Sequence, residues 1–266
     1  MDEDDAAHGA RSLSPGRGAG RPGVAVGLGD SARLALWFSA WCAGTASLDE
    51  ARDAVVGDDA AHDVVGLPGR DEPVPLILAL GALRAERATA AGLALPEPGD
   101  PLGLGGPAAF NSEALEVGEA VVLDGADLGL VPFRAGAGVV WRCLPASSRR
   151  QLPDLGEADT GLRRALPAVA DELAALDVGR WRPEVADELM ALRRPTSLAV
   201  PPGTGARQQR MLALAARCRT IVELALEDDG GAVTASEADR RRAALLPLDR
   251  AARRAVVAAC SHPFDR

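Results

Sequence analysis

The chain has 266 residues, a net charge of −9 and a pI near 4.9, and it contains neither lysine nor tyrosine. Without lysine there is no Schiff-base enzyme, no Walker-type phosphate loop and no kinase ATP-site cation; without tyrosine the Tyr/Lys proton relay of nicotinamide-dependent reductases is missing too. The acidic balance excludes a general nucleic-acid binder, because neutralising phosphates needs clustered excess cation, and runs such as Arg240-Arg241-Arg242 are broken up by Asp and Glu.

Residues 1–22 offer almost nothing to bury and read as a disordered acidic leader. Met1-Asp2-Glu3-Asp4-Asp5 is acidic where a secretory signal needs positive charge, and no apolar stretch approaches the ~20 residues that span a bilayer. The expectation is a cytoplasmic protein with no membrane contact. Order begins near Gly23. From Ser31 to Thr45, Leu34, Trp37, Phe38 and Trp41 fall at helical spacing, with Asp30 or Ser31 placed to cap the first turn. Ser47-Leu48-Asp49-Glu50 is a capping box that opens a second helix ending at Gly57.

His62 to Leu67 is a brief strand or a turn, a helix runs on from Leu76, and Gly92 to Leu95 is a short strand. Pro96 to Pro107 is too rich in Gly and Pro for helix or ladder, and Asn111 or Ser112 caps a helical turn reaching Val117. Three β-rich runs follow at 119–123, 128–134 and 139–144. Their tight Asp-Gly and Gly-Ala-Gly connections predict an antiparallel meander, since parallel crossovers need a dozen or more residues.

Beyond residue 154 the period changes. Asp154 with Glu157 starts a long helix carrying Leu162, Leu166, Val169, Leu173 and Leu176 on one seam. Pro183 opens another helix ending near Arg193, Met211, Leu214, Cys218, Ile221 and Ala225 mark a third, and Thr234 with Glu237 boxes the start of a last one that Pro247 must kink or divide. The predicted fold class is α+β: a mixed α/β layer with short antiparallel strands over 23–150, an antiparallel helical bundle over 151–260 and a tail at 261–266.

Two places carry candidate chemistry. Asp58, Asp59, His62 and Asp63 form the densest titratable cluster in the folded region, able to face one divalent ion, and His62-Asp63 resembles the doublet of HD-type phosphohydrolases without that family's upstream histidines. The 96–111 loop is the second, where Asp100, Phe110 and Asn111, backed by Trp141, would supply a charge, a ring and an amide to a shallow ligand pocket. Gly27 to Ala32 also matches a G-x-G-x-x-A dinucleotide fingerprint, but capping signals follow where a second strand and a ribose-binding acid should be. The four cysteines are far apart with no ligand spacing, which predicts buried reduced thiols and no zinc.

The stretches LPEPGDPLGLGGPAAFNSEALEVGEAVV (Leu95 to Val122), DVGRWRPEVADELMALRR (Asp177 to Arg194) and VELALEDDGGAVTASEADRRRAALLPLDRAARRA (Val222 to Ala255) resemble a family of uncharacterised proteins from high-GC actinobacteria. The exclusive use of Arg, the single Asn and the two Ile fit the same codon bias. That resemblance implies a lineage and no activity. The residues themselves point to a non-catalytic protein, without catalytic residues or cofactor, that binds a protein partner, a second copy or a small ligand. The alternative is a metal-assisted hydrolase using the cluster from Asp58 to Asp63.

Overall fold

A computed structural model of the chain describes residues 27–175, 198–227 and 235–262. The predicted leader, the helix opening at Pro183 and the Thr234–Glu237 box lie outside the described residues. The first helix, α1 (Asp30–Ala43), buries Leu34, Ala35 and Phe38, while Trp41 stacks edge-on against Phe38 and lies under the Arg84 guanidinium at 4.7 Å. It ends at Gly44, which adopts the left-handed conformation that needs no Cβ. Its start corrects the expected cap. Gly29 is the N-cap and Asp30 already helical, so the orphan amide of Ser31 is met instead by Glu119 Oε2 at 3.2 Å.

Helix α2 (Leu48–Val56) starts with the reciprocal box foreseen for Ser47 and Glu50, and turns Ala51 and Val55 inward. After it come β1 (His62–Val65), β2 (Val74–Pro75), α3 (Leu76–Ala85) and β3 (Ala90–Ala94). Helix α4 (Ala108–Val117) then leads into β4 (Ala120–Asp124), β5 (Leu128–Ala135) and β6 (Gly138–Pro145). Here α4 begins before the expected caps: Asn111 sits inside it and reaches back, its Oδ1 accepting from the Gly106 amide at 3.1 Å.

The strands form one sheet in the order β2-β1-β6-β5-β4-β3. The meander β4-β5-β6 is antiparallel as expected, and β3 joins its edge antiparallel to β4. One pair differs: β1 lies parallel to β6, with His62 opposite Val139 and Val64 opposite Trp141. One face of the sheet, carrying Leu93, Val121, Leu123, Leu130 and Trp141, packs in a single core with α1, α3 and the C-terminal helices. The other face carries Val122 and Val131 beneath Phe110 and Ala114 of α4. Strand β3 is an edge, yet its outward amides at Ala91 and Leu93 are satisfied. Ser39 of α1 accepts from the Ala91 amide at 2.9 Å and donates to its carbonyl at 3.0 Å, and Ser261 accepts from Leu93 at 3.0 Å.

The C-terminal helices are α5 (Leu155–Ala175), α6 (Ala206–Glu227) and α7 (Ala235–Cys260). Asp154 caps α5, accepting from the amides of Gly156 at 2.7 Å and Glu157 at 3.0 Å. Helix α7 packs between α5 and α6, burying Leu245, Leu248 and Val256 against Leu162, Met211 and Cys218 in the core shared with the sheet. Pro247 does not divide α7: it and Ala243, whose carbonyl loses its amide partner, both lie on the exposed face, where that carbonyl is open to solvent. Among the described residues no helix is long and apolar enough to cross a membrane.

The α4 face sets a sharp test. A Cβ at Gly129 would stand 2.5 Å from the Phe110 ring, which is fully buried and has nowhere to retreat. Gly129→Ala should cost about 1–3 kcal/mol through overpacking, read as a lower urea midpoint with an unchanged slope.

Candidate functional site

Strand alternation separates the cluster around His62. His62 and Val64 point into the core, Asp63 points to the opposite side of β1, and Asp58 is exposed in the turn before it. Only Asp59 and His62 meet, with His62 Nε2 3.0 Å from Asp59 Oδ2. The third member is Asp30 at the start of α1, so that one ligand atom each from Asp30, Asp59 and His62 lies within 4.8 Å of the others. Nothing local in the sequence pairs Asp30 with a residue in a turn 29 positions on, which is why the reading from spacing chose Asp58 and Asp63.

What this arrangement can do is decided by Trp141. Its indole Nε1 is only a donor and lies 3.2 Å from His62 Nδ1, so Nδ1 must accept and the ring proton sits on Nε2, directed at Asp59. A metal on Nε2 would require that proton to move to Nδ1, against the indole N–H. The carboxylates are also engaged. Arg134 bridges them, from Nη1 to Asp59 at 2.6 Å and from Nη2 to Asp30 at 2.9 Å, and Arg33 pairs with Asp30 and approaches Asp59 at 3.8 Å. The donor set of the proposed metal site is thus filled by hydrogen bonds and guanidinium forks, and it ties the start of α1 to β1, β5 and β6.

Burial raises the Asp59 carboxyl, but hydrogen bonds from His62 and Arg134 outweigh it and leave it below the ordinary value. A depressed folded value contributes stability above the unfolded value of about 3.9, lost as pH falls through the folded one. Asp59→Asn should therefore lower the Tm at neutral pH and erase part of the acid dependence below about pH 4. Trp141→Phe leaves His62 Nδ1 buried without a donor and should cost about 1–3 kcal/mol in chemical denaturation.

The second expected site is dispersed. Phe110 lies under α4 on one face of the sheet, and Trp141 lies in the core on the other. Asp100 faces neither, pairing with Arg253 at 2.9 Å, and Asn111 is taken by Gly106. The 96–111 segment is an ordered connector in which Glu97 and Asp100 exchange two backbone hydrogen bonds and Leu102 is buried.

The cavity lies nearby. About 570 Å³ opens between the start of α1, the connector after β3, the turn before β4, and helices α6 and α7. Gly27, Leu28, Gly29 and Ala32 form one wall, Val117, Gly118 and Glu119 a second, and Leu95, Pro96 and Glu97 a third. Arg219, Thr220, Glu223, Arg253 and Val256 close it from the helices. The glycines of the fingerprint do reach a cavity, but the position a phosphate would take at the helix start holds the Glu119 carboxylate. Burial pushes the Glu119 carboxyl up, as does the charge of Asp30, against partial relief from Ser31 and Arg219. Glu97 is raised as well, first by burial, although Arg253 opposes this.

The thiols add no nucleophile. Among the described residues all four cysteines are free, and burial pushes those of Cys42, Cys143 and Cys218 up to about 11 and that of Cys260 higher still.

Two family models cover this architecture. The N-terminal domain of Rv1486c-like proteins matches residues 31–155, and their C-terminal domain matches residues 156–257. The chain belongs to the Rv1486c-like family. Uncharacterized protein Rv1486c of Mycobacterium tuberculosis H37Rv is 30% identical over 282 residues, covering 87% of this chain and 97% of the relative. Uncharacterized protein MAV321 of Mycobacterium avium is 30% identical over 199 residues, covering 59% of this chain and 65% of its own. No solved structure matches. The family resemblance read from the sequence is therefore correct, and membership assigns the Rv1486c-like chains no activity. Within the family frame, Glu97 and Glu119 belong to the N-terminal match while Arg219, Glu223 and Arg253 belong to the C-terminal one.

Proposed function

We propose that this protein is a non-catalytic binding protein that holds a small ligand in the cavity between α1, β4, α6 and α7. The observation that carries this reading is the cavity itself: its 570 Å³ falls within the ~300–1,000 Å³ of ligand sites, and its lining, more polar than apolar, brings several charged side chains together. Both family segments line it, and junctions of this kind are where small-molecule sites concentrate. Absence of catalysis is supported by His62, the one internal histidine, whose two ring nitrogens are committed to Trp141 and Asp59.

The metal-assisted hydrolase remains the second reading, favoured by the approach of Asp30, Asp59 and His62. It would require the Trp141 hydrogen bond to break and both arginines to leave. For the compartment we propose the cytoplasm, supported by four unpaired cysteines. A second copy would pack most readily on α3, where Leu78 is 65% exposed beside the open Gly81.

A thermal-shift screen of small metabolites on wild type and Ala216→Phe tests the binding reading. Ala216 lines the cavity, so the added ring should abolish every stabilising hit; Val117→Phe serves if that variant misfolds. Hits that stabilise wild type and both filled variants equally would contradict a ligand in this cavity.

A further inference from the structure

Resting on the ligand-binding reading, the geometry points to the ligand's class: we propose that the cavity takes a small amine carrying an acceptor oxygen, an amino-acid-like zwitterion, whose ammonium meets Glu119 and whose oxygen meets Arg219. The charges lining the cavity carry this. Of its two cations, Arg253 is fully engaged. Its guanidinium donates to the Leu95 carbonyl at 2.7 Å and pairs with Glu97 at 2.9 Å, Asp100 at 2.9 Å and Asp249 at 3.1 Å. Three carboxylates on one guanidinium leave that corner negative. Arg219 pairs with Glu223 only at 3.4 Å, and its Nε–H is buried without an acceptor. Glu119 stands opposite, beside Asp30, with the Ser31 amide as its hydrogen-bond donor.

An anionic ligand finds this arrangement closed. The Ser31 amide at the start of α1 is already taken by Glu119, and Glu97 and Glu223 line the approach. An ammonium supplies the missing positive charge at Glu119, and the raised carboxyls of Glu119 and Glu97 show the same shortage of counter-charge. The Arg219 guanidinium, 31% exposed on the cavity lining and only loosely paired with Glu223, gives a donor for one oxygen on the same molecule, which distinguishes a zwitterion from a plain amine. The remaining walls, Leu28, Ala32, Val117 and Val256, suit a short methylene chain.

Three probes of equal chain length separate the possibilities: 5-aminopentanoate, 1,5-diaminopentane and glutarate, each titrated by calorimetry and by thermal shift. 5-Aminopentanoate should bind best. Glu119→Gln should weaken it about tenfold or more, corresponding to loss of one charge-assisted contact. The same variant should be at least as stable as wild type at pH 7. A carboxyl with a raised folded value favours folding below its unfolded value and loses that contribution as pH rises through the folded one, and glutamine keeps an oxygen that can accept from the Ser31 amide. Loss of binding in a stable protein then marks a ligand contact.

Glutarate binding tighter than 5-aminopentanoate would overturn the class while leaving the cavity reading intact. So would 5-aminopentanoate binding that Glu119→Gln does not change, or tightest binding of the diamine. If none of the three binds, the class falls; if the metabolite screen on wild type and Ala216→Phe also yields no hit that depends on the cavity, the ligand-binding reading falls with it.

Discussion

The guanidinium of Arg253 holds the helical part of the molecule to the end of the sheet. It sits on α7, is 3% exposed, and reaches across 158 residues of sequence to the Leu95 carbonyl at the end of β3. A buried cation without partners is costly by several kcal/mol, so its position is tolerable only because Asp249, Glu97 and Asp100 converge on it. The consequence is structural before it is chemical. The connector rich in Gly and Pro is pinned at both Glu97 and Asp100, Leu102 is drawn into the core, and Pro96 and Glu97 stand as a fixed wall of the cavity.

A second network, at the start of α1, does for the other end what Arg253 does for the first. In a chain whose cations are all arginine, planar forks replace point charges, and Arg134 spans Asp30 and Asp59 with one side chain. Trp141 fixes the His62 tautomer, His62 donates to Asp59, and the turn before β1 is locked against β5. Polar groups that look like chemistry in a linear reading are here joining elements. The cavity between the two networks is lined by Glu119 on the side of the sheet and by Arg219 on the side of α6.

Much of the fold was legible because its signals are local. The Ser47–Glu50 box, the Asp154 cap, the meander with its short turns, the seam of Leu162, Leu166 and Val169 and that of Met211, Leu214 and Cys218 each depend on residues a few positions apart. The site was less legible because its members meet through the fold. Asp30 reaches Asp59 only once α1 packs on the sheet, and Asp63 is lost to the cluster because a strand sends neighbours to opposite faces. A loop ring at Phe110 backed by Trp141 from the meander reads as a pocket, but α4 lies on the opposite face of the sheet from the Trp141 side chain and separates them. The fingerprint glycines reach the cavity, yet the Glu119 carboxylate that fills the anion position lies 88 residues from Ser31, beyond any motif.

Native mass spectrometry of the protein isolated gently from its own cells tests the central claim most directly. A cavity built to hold a ligand predicts one additional small-molecule mass per chain, shed on acidification and missing from the Ala216→Phe variant. A bare chain mass throughout, or an added mass that the filled cavity retains, would contradict it.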